Sequence, residues 1–126
     1  MEINRPDVLA ELTRVFERYE DALVNNRVEV LDELFWPSEH TVRYGAGENL
    51  RGIAAIRAFR VARSPAGLAR TLGNTVLTTY GDAFATAMTE FQRPGEARVG
   101  RQSQTWVRFP EGWRVVAAHI SHIPAA

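Results

Sequence analysis

Apolar residues recur early in the chain at Leu9, Leu12, Phe16, Tyr19 and Leu23, spaced by 3, 4, 3 and 4. That spacing draws one stripe of an amphipathic helix running to about Asn25, with Glu11, Arg14, Glu17, Arg18 and Asp21 turned outward. Pro6 suits a first helical position, and Asn4 just upstream is a candidate cap. A second, shorter helix is predicted over residues 28–35, with Leu31, Leu34 and Phe35 as its apolar side. Trp36-Pro37 ends it, because the residue before a proline resists the helical region. Residues 41–44 read as a strand, 45–49 as a glycine-bearing turn and 50–52 as a short return strand. Ile53, Ile56 and Phe59 then mark a third helix, stopped by Ser64-Pro65.

After Gly67 the period shifts from helical to two. Residues 71–80 are rich in β-branched side chains around Gly73-Asn74, and Gly81-Asp82 is a turn. Residues 83–92 alternate, with Phe84, Thr86, Met88 and Glu90 on one face. Pro94-Gly95-Glu96 leads into a long hairpin over residues 99–123 that turns at Pro110-Glu111-Gly112. Within it Ser103, Thr105, Val115, Ala117, His119 and Ser121 form one set. That set is too polar for a plain core and too apolar for open water, and is read as a pocket wall. Gln102, Gln104 and Trp106 fall on the opposite face, which is expected to point outward and to bury itself against a second copy in a homodimer. Helices first and strands last predict an α+β domain over residues 1–126, its helices packed on one face of a curved antiparallel sheet.

Composition narrows the chemistry. The 15 basic residues are all arginine, there is no lysine, and there are no cysteines. Lysine Schiff bases, thiol nucleophiles, thiolate metal sites and disulfides are therefore excluded. The formal net charge of +0 favours neither nucleic acid nor an anionic membrane. With no apolar leader or spanning run, a cytoplasmic location is expected. No metal site is expected, since His119 and His122 differ by an odd number along a strand and point to opposite faces. No glycine-rich phosphate loop precedes a helix, and none of Ser38, Ser64, Ser103 and Ser121 has the flanking glycines of a hydrolase elbow. A phenol, guanidinium groups, hydroxyls and an imidazole remain. They suit a small anionic substrate, held by arginine through its carboxylate and acted on by proton donation and charge stabilisation.

Tyr19 lies on the buried helix stripe with a hydroxyl that needs a partner, and Arg43 lies near the mouth or inside of the space the helices cover. Arg51, Arg57, Arg60 and Arg63 crowd the third helix, most of them expected on a solvated face, with Arg60 retained as a substrate contact. Ser103 and His119 are candidate contacts from the pocket wall. Trp36 and Trp106 are core or pocket-wall aromatics, with Trp36 kept as a substrate contact. Glu90, if it shares that interior, requires an arginine partner.

The set Gly45-x-Gly47-Glu48-Asn49-Leu50-x-Gly52, Arg57-x-x-Arg60, Glu90-Phe91, Gly100-Arg101-Gln102-Ser103-Gln104-Thr105-Trp106 and 112–119 resembles the AtzH-like family. That family includes the oxalurate catabolism proteins called HpxZ, and belongs to the nuclear transport factor 2-like (SnoaL-like, cystatin-like) superfamily of cone-shaped α+β domains. The resemblance implies cofactor-free, decarboxylating hydrolysis of a small carboxylated urea in nitrogen catabolism, with dicarboxyurea giving allophanate. It also implies that Tyr19 and Arg43 are the catalytic pair. Two other readings stand beside it: a small-anion binding module without catalysis, and an accessory protein supporting a pathway amidase.

Overall fold

The computed structural model describes residues 1–124. The predicted stripe becomes helix α1, Pro6–Val24, which buries Val8, Leu12, Phe16, Tyr19, Ala22 and Leu23. Its entry differs from the expectation. Arg5 stands at the cap position with no side-chain cap bond. Asn4 instead pins the chain to the sheet, its Oδ1 accepting the Thr79 N–H at 2.9 Å and its own N–H donating to the Thr79 carbonyl at 3.0 Å. Helix α2, Val28–Leu34, stops one residue early, because Phe35 is extended and forms an isolated parallel bridge with Val115. A short hairpin follows, β1 (Val42–Tyr44) and β2 (Asn49–Arg51), and then helix α3 (Ile53–Ala62). Gly52 enters α3 at φ 87°, a left-handed value that favours glycine, with its N–H donating to the Thr41 carbonyl at 2.7 Å. The four long strands are β3 (Thr71–Tyr80), β4 (Phe84–Gln92), β5 (Val99–Phe109) and β6 (Gly112–Ile123).

All six strands join one sheet in the order β2-β1-β6-β5-β4-β3, antiparallel except where β1 lies parallel to β6. The helices cover one face. Their apolar sides meet Ala85, Ala87, Trp106, Trp113, Val115 and Ala118 in a single core.

The alternation in β5 is as predicted, but its two faces are exchanged. Gln102, Gln104 and Trp106 are buried under the helices, while Ser103 and Thr105 look out from the uncovered face. The hairpin parity also breaks. Thr105 pairs with Ala117 but Trp106 pairs with Val115, so Val116 is an extra, bulged residue. The bulge turns Val115 into the core and leaves Ala117 and His119 on the uncovered face. A set chosen by strict period two therefore mixed residues of both faces. Inside, the glutamines find partners: Gln104 Oε1 accepts the Trp106 Nε1–H at 3.1 Å and Gln102 Oε1 accepts an Arg70 Nη2–H at 3.0 Å.

Gly100 shows why this strand begins with glycine. It pairs with Phe91 across β4–β5, and a Cβ at position 100 would overlap the Phe91 ring. The ring lies over the bare backbone and in turn carries the guanidiniums of Arg70 and Arg93, whose Cζ atoms are 4.5 and 5.0 Å from its centroid. Gly100→Ala is expected to lower unfolding free energy by ~1–3 kcal/mol, the range for overpacking a filled interior. Urea denaturation of the two proteins checks this, and an unchanged midpoint counts against the packing described.

Candidate functional site

Three elements bring charged groups together beneath the sheet. Tyr19 comes from α1 and is 3% exposed, its ring packed against Phe35 (centroids 6.1 Å apart) and edge-on to Trp106 (6.2 Å, 90°). Arg43 comes from β1 and is 8% exposed. It pairs with Ala118 on one side and Leu50 on the other, which fixes its direction toward the helices. Its Nη1 donates to Glu48 Oε1 at 3.0 Å and its Cζ sits 5.4 Å from the centroid of Phe59. The hairpin glycine Gly45 permits this, because a Cβ there would overlap the returning Glu48 carboxylate. Arg60, from α3, is 3% exposed, with Nη1 donating to Asp32 Oδ1 at 3.2 Å and Cζ 4.1 Å above the Phe35 ring centroid. Arg63 closes α3 with its backbone turned extended.

These groups sense one another. Burial pushes the Arg60 guanidinium below its ordinary value, opposed by Tyr19 and Asp32 and reinforced by Arg43. Burial likewise pushes Arg63 down, opposed by Tyr19 and reinforced by Arg60, Arg43 and Arg93. Both remain charged at any physiological pH. Arg60 Nη2 and Arg63 Nε and Nη2 are buried without a hydrogen-bond partner. Buried guanidinium N–H groups without acceptors are costly, and three of them lie on the last turn of α3.

The sequence-predicted contacts divide between the two faces of the sheet. Tyr19, Arg43 and Arg60 converge under the helices. Ser103, His119 and Glu90 do not: the exchanged faces of β5 and the parity of β4 place them on the uncovered side. There they help line a concavity of about 470 Å³ with Asn74, Met88 and Ser121. Glu90 lies outside the interior, opposite Arg101 across the β4–β5 pair, and accepts a hydrogen bond from Asn74 Nδ2 at 3.1 Å. His119 is exposed and meets the Tyr44 ring edge-on at 6.1 Å. Trp36 stacks on Phe109 (5.3 Å, 17°) in a separate groove of about 460 Å³ that also contains Arg57 and Arg114. Phe35 links that groove to the Tyr19 cluster. Arg51 and Arg57 are on the solvated face, as expected for that helix region. Residues the sequence reading missed are Arg63, Gln104 and Gln102. The usable signal was Trp106: the largest apolar residue of β5 marks its buried face, and the glutamines share its parity.

A second polar cluster borders the first. Arg70 clamps Glu20 with two bonds of 2.6 and 2.8 Å and reaches Gln102, while Arg93 and His122 flank Phe91. Burial holds His122 below its ordinary value of about 6.5, and Arg98 and Arg93 add to this. The unfolded chain therefore takes up a proton at His122 at a pH where the folded protein does not, so stability falls as pH drops below about 6.5. The decline ends once the folded-state value is passed. His122→Gln is expected to flatten this part of a thermal-stability profile against pH, and an unchanged profile refutes the assignment.

A sheet roofed by three helices, with polar groups gathered beneath them, defines an α+β protein of the nuclear transport factor 2-like, cystatin-like fold. Within that class the chain belongs to the AtzH-like family, whose profile matches residues 1–126. It is similar to a protein of unknown function from Pectobacterium atrosepticum, at 63% identity and TM-score 0.95 over 97% of this chain and 95% of that one. A cystatin-like fold protein from Burkholderia xenovorans is 46% identical, with TM-score 0.95, over 100% of this chain and 99% of that one. A nuclear transport factor 2-like protein from Novosphingobium aromaticivorans, 24% identical with TM-score 0.71 over 95% of this chain and 84% of that one, shares the fold. None of the curated proteins compared matches the chain. Among the described residues no helix is long and apolar enough to cross a membrane.

Proposed function

We propose that this protein is a cofactor-free, decarboxylating hydrolase of a small carboxylated urea, of the dicarboxyurea type, acting in nitrogen catabolism. The observation that carries the reading is the set of buried, acceptorless guanidinium N–H groups of Arg60 and Arg63 in the same cluster as Tyr19 and Arg43. A dicarboxylate dianion would supply the missing acceptors. Arg43 would hold one carboxylate, and Tyr19 would donate its proton to the nitrogen that gains charge. In the step itself the bond between nitrogen and the carboxylate carbon breaks, its electron pair stays on nitrogen, carbon dioxide leaves and the proton completes allophanate. The tyrosine recovers a proton from water, and the hydroxide left combines with the released carbon dioxide as bicarbonate, so one water is consumed overall. Donors fixed in advance in a water-poor site stabilise that developing charge. The test is carbon dioxide and allophanate formation from freshly prepared dicarboxyurea, against the uncatalysed rate. Tight binding of the substrate without acceleration would sink the catalytic reading and leave a small-anion binding or amidase-accessory protein.

The uncovered sheet face is proposed as the homodimer surface. With Gln102, Gln104 and Trp106 inside, that role passes to Val76, Phe84 and Met88, exposed by 58, 45 and 51% on β3 and β4. Light scattering at micromolar concentration is expected to give a dimer, and Met88→Asp a monomer. A monomeric wild type refutes it.

A further inference from the structure

Arg43 and Arg60 each have a carboxylate beside them, Glu48 at 3.0 Å and Asp32 at 3.2 Å. Arg63 differs. Among the described residues it makes no ion pair, and its Nε and Nη2 are both buried without an acceptor. Those two nitrogens form one edge of the guanidinium fork, the edge that binds a carboxylate with two parallel bonds. Its neighbours make the position more exacting. Arg60, Arg43 and Arg93 all repel it. The backbone shows how it is held there. Its N–H donates to the Phe59 carbonyl at 3.0 Å as the last turn of α3 closes, and the chain then leaves in an extended conformation. A half-buried cation kept among like charges by a helix end stabilises nothing by itself. It becomes favourable when an anion arrives.

We propose that Arg63, acting with the free Nη2 of Arg60, is a second carboxylate-binding position beside Tyr19, separate from Arg43, which makes the site selective for ligands carrying two carboxylates. The inference rests on reading the Tyr19 cluster as the substrate site, but it needs only binding, not turnover. It assigns the two ends of the substrate to different elements: α3 takes one carboxylate through Arg63 and Arg60, and β1 takes the other through Arg43. Tyr19 on α1 serves the atoms between. A ligand with one carboxylate leaves one of these positions without its acceptor, so it binds weakly.

The probes are glutarate and pentanoate, measured by titration calorimetry. Glutarate matches the backbone of dicarboxyurea atom for atom, with carbon in place of nitrogen, and is inert; pentanoate lacks one carboxylate. The wild-type protein is expected to prefer glutarate by ~10-fold or more, the scale of a charge-assisted pair lost in a buried site. Arg63→Gln is expected to remove most of that preference by weakening glutarate far more than pentanoate, and Arg63→Lys to keep part of it. Without ligand, Arg63→Gln is expected to melt at or above the wild-type Tm, because a repelled charge has been removed. A lower Tm assigns Arg63 a structural role and overturns the proposal. So does a wild type that does not distinguish the two probes, or an Arg63→Gln variant that still prefers glutarate fully. Absence of dicarboxyurea turnover alongside a glutarate preference that depends on Arg63 overturns the catalytic reading alone and leaves this inference standing.

Discussion

Tyr19→Phe is expected to slow decarboxylation of dicarboxyurea by ~100-fold or more while leaving the melting temperature close to wild type. The two halves of that result come from different parts of the side chain. The ring is structural: it fills the space between Phe35 and Trp106, and phenylalanine fills it equally. The hydroxyl has no such duty. Tyr80 commits its hydroxyl to Thr86 at 3.1 Å, but the Tyr19 hydroxyl has no hydrogen-bond partner among the described residues. Removing it leaves no orphaned acceptor in the protein, so the loss falls on the transition state. Because the hydroxyl acts on charge that develops during the reaction, kcat should fall with KM little changed. Arg43→Ala is expected to raise KM as well, since a guanidinium that holds a carboxylate acts in the ground state too. It also frees Glu48, so a folded-state check by circular dichroism belongs beside it. Wild-type turnover in both variants would sink the assignment of the pair.

The helices and strands were legible because each carries one dominant period. The α1 stripe and the three residues of α3 announce themselves at 3.6, and β4 at two. The Tyr19 cluster was legible only in part. Tyr19 could be placed because a helix stripe has one apolar side, and Arg43 because the strand is short and lies next to the helices. The wall from β5 and β6 could not be placed by parity. A strand with glutamines on one face and serine and threonine on the other gives no clear hydrophobic side, and Val116 then adds a residue that no periodic pattern predicts. Arg60 and Arg63 illustrate the remaining limit. They are neighbours of Arg57 in sequence and alike in composition, yet a helix turn separates a solvated guanidinium from one lying 4.1 Å over a buried ring. Only the packed position of Phe35, itself set by an isolated bridge to β6, distinguishes them.

Trp106→Ala bears most directly on that reversed wall. In the structure the indole is fully buried, packs edge-on to Tyr19 and donates to Gln104. Truncation removes a fully buried tryptophan of the core and leaves Gln104 Oε1 without its donor in a site where Gln104 Nε2 already has no acceptor. Both effects point the same way, toward a loss of ~3–5 kcal/mol of unfolding free energy, the range for truncating a buried tryptophan or phenylalanine. In a chain of this size that corresponds to a Tm lower by roughly 10 °C or more. Had the indole faced outward into a subunit interface, the same change would instead weaken self-association and leave the monomer's stability nearly intact. Denaturation midpoints taken at two protein concentrations separate the cases: the buried position predicts a large, concentration-independent drop. A variant that melts within about 2 °C of wild type but dissociates on dilution would restore the outward register, and with it return Ser103 and His119 to the helix-covered face.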